Sequence, residues 1–574
     1  MKLFHYASGV NRRILVCLAA AVLVLGTSAV AFAASHKTAA TVASAAVAAS
    51  HKASATVDSA SVASPSSTCT NGTLVQTNKG PVCGITATGV KEWLGVPFAA
   101  PPVGALRWEP PQPHAPWSKP WQAIESSNAC PESYGVADSL PSTNEDCLYL
   151  DIVVPTDAGP GPLPVFFHIY GGGFTIGANA LFNGATLATT EHAIVVGVNY
   201  RLGVFGFLAD KALGPHSGDY GLEDQQAGLR WVQRNIAAFG GNPNNVTIFG
   251  ESAGGSSVCD QIASPAAAGL FQKAISVSGE YNSLLGAKTS LQPQDCKATL
   301  PTEAQADAVG ASYAASLGCG SGSATVVATC LRNVPVRELL ATETAATEAP
   351  IVNGTTLTMS PGQAFANGHV NKVRAILGVG RDENLAGTAT TAAQYKALVD
   401  TQYGSAAAAV LKRYPLQRYP SPFVAFRTVA ADSNTVCPAL VTASRLSKSI
   451  PVYEYQGDDT DAPLGSYVDP AVPNGEYHIG GYYIFPDVSD QNPDNVTPLD
   501  ADQQALANQE LAQFGAFART GNPSAAGTPT WPQFTTAKQL VMSWQPGGDD
   551  QLTTGSVISL DHNCGFWDSL TPGS

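Results

Sequence analysis

The chain has 574 residues, of which 44% are hydrophobic and 13% charged, and its formal net charge is −14. So much apolar material fills a large core and excludes a disordered chain. The acidic balance argues against nucleic acid and anionic membranes as partners, because both repel it.

The N-terminus reads as a targeting segment. Lys2, Arg12 and Arg13 precede the apolar run ILVCLAAAVLVLGTSAVAF, and Ala31-Phe32-Ala33 follows as a small-x-small cleavage pattern. Residues 1–33 are therefore expected to be a secretory signal, and the mature protein to be secreted or periplasmic with no membrane association. Residues 34–67 are mostly Ala, Ser, Thr and Val, with ASHK twice and neither glycine nor aromatic residues. Such a stretch builds no core and reads as a low-complexity leader. Neither an internal repeat nor a linker-like stretch interrupts the remainder, so 68–574 is expected to form a single large domain.

Within that domain strands and helices alternate. LPVFFHIY (163–170) and AIVVGVNY (193–200) read as buried strands. DQQAGLRWVQRNIAAFG (224–240) reads as an amphipathic helix, with Leu229, Val232, Ile236 and Phe239 at helical spacing. NVTIFGE (245–251) is a further strand, and 304–318 and 505–519 are further helices. The alternation predicts an α/β fold with a large, mostly parallel sheet covered by helices.

The strand at 245–251 runs into Gly250-Glu251-Ser252-Ala253-Gly254, and a helix-compatible segment follows. A serine between two glycines at a strand-to-helix turn is the setting of a nucleophile elbow, since side chains at the glycine positions would collide with neighbouring backbone. A serine hydroxyl needs a base, and the base needs an orienting acid. In this architecture the chain order is serine, acid, histidine. Of the histidines, only His478 and His562 follow a suitable acid, and His478, in the Gly-flanked NGEYHIGGYYIF, suits a base better. RAILGVGRDEN (374–384) is a strand ending in carboxylates, and there Asp382 and Glu383 both qualify. HIYGGGF (168–174) follows another strand, and its glycines let backbone N–H groups approach a developing oxyanion. Phe174, not Lys or Ser/Thr, follows the last glycine, which disfavours a phosphate cradle.

The chain has eleven cysteines. Cys17 lies inside the signal, and the remaining ten permit up to five disulfides in an oxidising compartment. No CxxC pair or His/Cys cluster points to zinc, and the acidic run QGDDTDAP (456–463) has no calcium-loop spacing, so no metal or cofactor is expected. Asn71, Asn245, Asn353 and Asn495 each open an N-x-T sequon.

Together these segments resemble the type-B carboxylesterases, the α/β-hydrolase group that includes cholinesterases and para-nitrobenzyl esterases. The resemblance spans roughly 75–570 and is carried by WLGVPFAAPPVGALRW (93–108), NEDCLYLDIVVP (144–155), the glycine loop, VNYRLGVFGFLA, the elbow segment and CGFWD, in family order. It implies Ser252 as nucleophile, Glu383 rather than Asp382 as acid, and His478 as base. Gly172, Gly173 and Ala253 match the oxyanion donors, Tyr170 stands where many members carry His, and Glu251 matches a buried carboxylate beside the triad. It also implies disulfides Cys130–Cys147, Cys319–Cys330 and Cys437–Cys564, which leaves Cys69 with Cys83 and Cys259 with Cys296 as remaining pairs. Two positions depart from the pattern: Asn384 replaces the usual glycine after the acid, and IGGYYIF lacks the acidic residue common there. The short Cys130–Cys147 loop holds no Trp, so the aromatic platform for quaternary ammonium is missing and choline esters are not the expected substrate.

The implied activity is hydrolysis of small-to-medium carboxylic esters through an acyl-enzyme, by a monomer. An esterase or lipase acting on bulky lipid, polymer or aromatic esters is the alternative. A non-catalytic binding protein on the same scaffold is a remote one, since all three triad positions are filled.

Overall fold

The structure is a computed structural model that describes residues 69, 72–133, 142–159, 161–280, 296, 300–343, 349–383, 389–459, 499–548 and 550–570. Residues 1–67, expected to be a signal and leader, lie outside the described residues, and Thr68–Ser574 forms one compact unit.

Long apolar runs without alternation make strands buried on both faces, and such strands need helices above and below them. The main sheet meets that requirement with eleven strands among the described residues. In chain order they are β1 (Ile85–Ala87), β2 (Val90–Pro97), β3 (Tyr149–Pro155), β4 (Leu163–Ile169), β5 (Ile194–Val198) and β6 (Gly241–Glu251). Then follow β7 (Lys273–Val277), β8 (Arg374–Gly380), β9 (Val452–Gly457), β10 (Leu540–Trp544) and β11 (Gln551–Thr554). Their spatial order is β11-β10-β9-β8-β7-β6-β4-β5-β3-β2-β1. From β5 to β10 all pairs are parallel, and antiparallel strands close both edges. Every residue of β4, β5 and β7 is buried. The mostly parallel α/β sheet expected from the strand runs is therefore the observed architecture.

The order also locates the crevice. β4 lies between β5 and β6, so the chain reverses the direction of sheet growth there. Loops leaving the C-terminal ends of β4 and β6 then diverge to opposite sides and open a cleft at that edge.

Helices follow where apolar stripes repeat. α1 (Tyr220–Asn235) buries Leu222, Leu229 and Val232. The predicted helix at 224–240 ends earlier than its apolar pattern, because Ile236–Phe239 tightens to a 3-10 turn before Gly240 (φ 90°) turns the chain into β6. α2 (Ala253–Ala263) starts at the end of β6 and is buried along its whole length. Farther on are α3 (Cys437–Leu446) and α4 (Ala501–Thr520), the latter opened by an Asp500 capping box and closed by Gly521 at φ 74°.

Four disulfides are formed among the described residues: Cys69–Cys83, Cys130–Cys147, Cys319–Cys330 and Cys437–Cys564. The last spans 127 residues and ties the C-terminal segment to the start of α3. The expected pairing of Cys259 with Cys296 is not formed as a disulfide: both are buried free thiols that hydrogen-bond to one another. Cys296 also directs its Sγ to the Gly279 carbonyl at 3.6 Å.

Candidate active site

The chemistry-bearing positions sit at the C-terminal ends of four neighbouring strands, β4, β6, β7 and β8. The elbow follows β6. Ser252 has φ 55° and ψ −121°, outside the regions a residue with a side chain ordinarily adopts. Backbone strain of this kind costs about 1–3 kcal/mol and persists only where surrounding structure enforces it. Here the enforcement is tight packing on both sides. A Cβ on Gly254 would stand 3.0 Å from the Tyr170 carbonyl carbon, and one on Gly255 would stand 2.6 Å from the Val277 carbonyl oxygen. The Ser252 N–H donates to the Val277 carbonyl at 3.0 Å, which stitches the turn to β7. Two further hydroxyls bind the same junction: Ser256 Oγ donates to Gly279 O (3.0 Å) and Ser276 Oγ to Gly255 O (3.1 Å).

The glycine loop after β4 closes over this turn. A Cβ on Gly171 would lie 2.8 Å from Glu251 Oε2 and 3.2 Å from Ser252 Cβ, so only glycine lets the loop reach the serine. Gly172 (φ 102°) and Gly173 (φ 65°) take left-handed backbone, and Phe174 follows at φ 67°. Ala253 is fully buried as the first residue of α2. Backbone N–H groups at a helix start carry partial positive charge, which suits a developing anion.

Tyr170 stacks on Tyr200 with ring centroids 4.4 Å apart. Its hydroxyl donates to Tyr200 O (3.0 Å), while Tyr200 OH donates to Tyr170 O (2.8 Å). This reciprocal pair fixes the base of the glycine loop. Glu132, buried in the Cys130–Cys147 segment, accepts from Gly177 N at 2.7 Å and holds the loop's far side. Burial pushes its carboxyl up to about 7. Glu251 is half-buried, with its carboxylate against Gly171.

Glu383 follows β8 and is 6% exposed, whereas Asp382 is half-buried. Glu383 Oε2 accepts from Ser278 Oγ (2.6 Å) and from Gly380 N (3.1 Å), and Thr435 Oγ1 holds its carbonyl at 2.9 Å. Burial raises its carboxyl to about 7, against the opposing effect of the Ser278 and Gly380 hydrogen bonds. Ser278 itself sits at φ 52° just past β7. Two residues on, Glu280 is fully buried, and burial drives it to about 8. Reading the sequence singled out neither Ser278 nor Glu280 nor Glu132. No local motif marks them, and only the adjacency of β7 and β8 brings Ser278 to Glu383.

His478 lies outside the described residues. The other candidate histidine, His562, belongs to a buried network: its Nδ1 is 2.7 Å from Asp432 Oδ1 and its Nε2 is 3.1 Å from Gln456 Nε2. Tyr414 OH donates to the second Asp432 oxygen at 2.7 Å, and Trp567 Nε1 donates to Tyr414 OH at 2.7 Å. That network packs beside the Cys437–Cys564 bridge. Its histidine is a core residue of the C-terminal segment.

The chain has relatives among known proteins. Residues 71–557 match a family model described as Carboxylesterase family. The chain is similar to a cocaine esterase of Homo sapiens, 31% identical over 529 residues that cover 84% of this chain and 88% of the relative. It is also similar to a para-nitrobenzyl esterase of Bacillus subtilis, 32% identical over 483 residues covering 80% of this chain and 92% of the relative. Among solved structures it resembles a thermophilic PNB esterase with a TM-score of 0.69 at 28% identity, covering 86% of this chain and 99% of the other.

Proposed function

Because the chain belongs to the carboxylesterase family and is a carboxylic ester hydrolase, we propose that it works through an acyl-enzyme formed on Ser252. In this scheme His478 takes the hydroxyl proton as Ser252 attacks the ester carbonyl. Gly172, Gly173 and Ala253 donate backbone hydrogen bonds to the oxyanion. His478 then protonates the departing alcohol, and water repeats the sequence to release the acid. Glu383 orients the imidazole and stabilises its charged form. The scheme uses no metal or organic cofactor.

The observation that carries this reading is the Ser252 backbone, held at φ 55° between β6 and α2 with the glycine loop against its Cβ. A strained serine presented to an N–H-rich loop serves little purpose in a scaffold without chemistry. The signal-like pattern of the N-terminal sequence and the four disulfides support a secreted enzyme. Small-to-medium esters are the proposed substrates, and the names of the relatives make aryl and benzyl esters the first probes.

The test is Ser252→Ala assayed on para-nitrophenyl acetate, with labelling by a serine-reactive phosphonate in parallel. We expect turnover and labelling both to vanish while the circular dichroism spectrum is unchanged. Hydrolysis at the parent rate would end the proposal.

A further inference from the structure

At the opposite end of the strands from the active site lies a hollow of about 340 Å³. Lys273, Lys372, Arg374 and Arg519 line it, and no carboxylate does among the described residues. This is unusual in a chain carrying 30 basic and 44 acidic residues. The concentration follows from the sheet register. Lys273 begins β7, Arg374 begins β8, and the two are direct partners across the parallel pair. Like charges so placed destabilise a sheet.

Three of these four cations contact neutral oxygens. Lys273 Nζ donates to Asn245 Oδ1, Lys372 Nζ to Gly368 O (3.4 Å), and Arg374 Nη1 to Gly521 O (3.1 Å). Only Arg519 meets a carboxylate among the described residues, Glu191 at 2.9 Å. Lys273 is just 6% exposed. An ammonium has three donors, and Asn245 takes one. Burial, reinforced by Arg374, lowers its affinity for a proton to about 8, as expected for a buried cation that lacks an anion.

We propose that this hollow binds a small divalent oxyanion, inorganic phosphate or a phosphate monoester, between Lys273, Lys372 and Arg374. Three considerations favour a small ion over a surface. The Lys273 ammonium is recessed and out of reach of a flat membrane. The net charge of the chain repels anionic bilayers. Arg374 supplies a planar fork and the lysines supply point charges, a combination suited to tetrahedral oxyanions.

The test is equilibrium dialysis of the full chain against radiolabelled inorganic phosphate, with sodium chloride holding ionic strength constant. We expect saturable binding of about one equivalent, weakened about ten-fold or more in the double variant Lys372→Gln, Arg374→Gln, as loss of charge-assisted hydrogen bonds requires. Neither residue belongs to the ester-hydrolysing machinery, so para-nitrophenyl acetate turnover verifies that the variant is folded. Non-saturable binding, or equal affinity in parent and variant, would overturn the site. A parallel arm uses phosphatidylcholine vesicles containing phosphatidic acid. Absence of cosedimentation supports a recessed small-ion site, and strong cosedimentation that the double variant abolishes would overturn it in favour of a lipid headgroup.

Discussion

Ser278 Oγ donates to Glu383 Oε2 across 2.6 Å and joins the ends of β7 and β8. The hydroxyl favours the ionised carboxylate, which burial alone disfavours. Ser278→Ala is therefore expected to lower kcat about ten-fold with little change in KM, since a hydrogen bond to a charged group is worth about 1.5–3 kcal/mol. The acid limb of the pH–kcat profile should also move to higher pH, because Glu383 would ionise later. In the parent, activity should rise with pH through about 7, the value to which Glu383 is raised.

The strain at Ser252 has a measurable counterpart in stability. Ser252→Gly removes the side chain that makes φ 55° and ψ −121° unfavourable. Glycine tolerates that conformation, so the variant should be inactive yet more resistant to urea, by up to about 1–3 kcal/mol less the entropy that glycine adds to the unfolded chain. Ser252→Ala, which keeps a Cβ, should lose activity without that gain.

Glycines near the elbow should differ sharply from glycines elsewhere. On Gly255 a Cβ would stand 2.6 Å from Val277 O and 2.8 Å from Gly279 Cα, both backbone atoms that cannot step aside. Gly255→Ala should cost about 1–3 kcal/mol or more and displace Ser252 enough to reduce kcat. Gly240 sits at φ 90°, and a Cβ there would meet nothing within 4 Å. Gly240→Ala should lose only about 1 kcal/mol and keep full activity. Urea unfolding and steady-state kinetics on the two variants separate packing from backbone preference.

Glu280 makes stability depend on pH in a defined direction. Its carboxyl is raised in the folded chain, so the folded state holds the proton after the unfolded chain has lost it. That preference is fully present below the ordinary carboxylate range and is lost as pH rises toward about 8. The slope is about 1.4 kcal/mol per pH unit for one such group. Glu280→Gln should flatten the fall in unfolding free energy between pH 5 and about 8, as read from urea titrations across that range.

The elements nearest the serine were legible because each obeys a local rule. β4, β5 and the second half of β6 read as mostly apolar runs, and Gly250 and Gly254 bracket Ser252 in the sequence itself. Local rules also left Asp382 and Glu383 undivided. Burial separates them in space, and no periodicity could, since they are adjacent on a turn. Ser278 and Glu132 were illegible for a different reason. Ser278 meets Glu383 only because β8 lies beside β7, although 105 residues separate the two side chains. Glu132 meets Gly177 although 45 residues separate them, beside the Cys130–Cys147 bridge. The basic hollow shares this origin: Lys273 and Arg374 look like isolated surface charges until the parallel register sets them side by side.

The parallel run also gives the molecule a practical polarity. β7 begins at Lys273 and ends beside Ser278, and β8 begins at Arg374 and ends beside Glu383. A solid support carrying phosphate monoesters on extended linkers, which reach into a recess where a flat membrane does not, would hold the enzyme through the proposed site at the strand starts. Immobilised that way, every molecule would turn the same end outward, with Ser252 facing the flowing medium. Random coupling through amines would bury a share of the active sites against the matrix, so the proposed site would serve as a handle for oriented attachment.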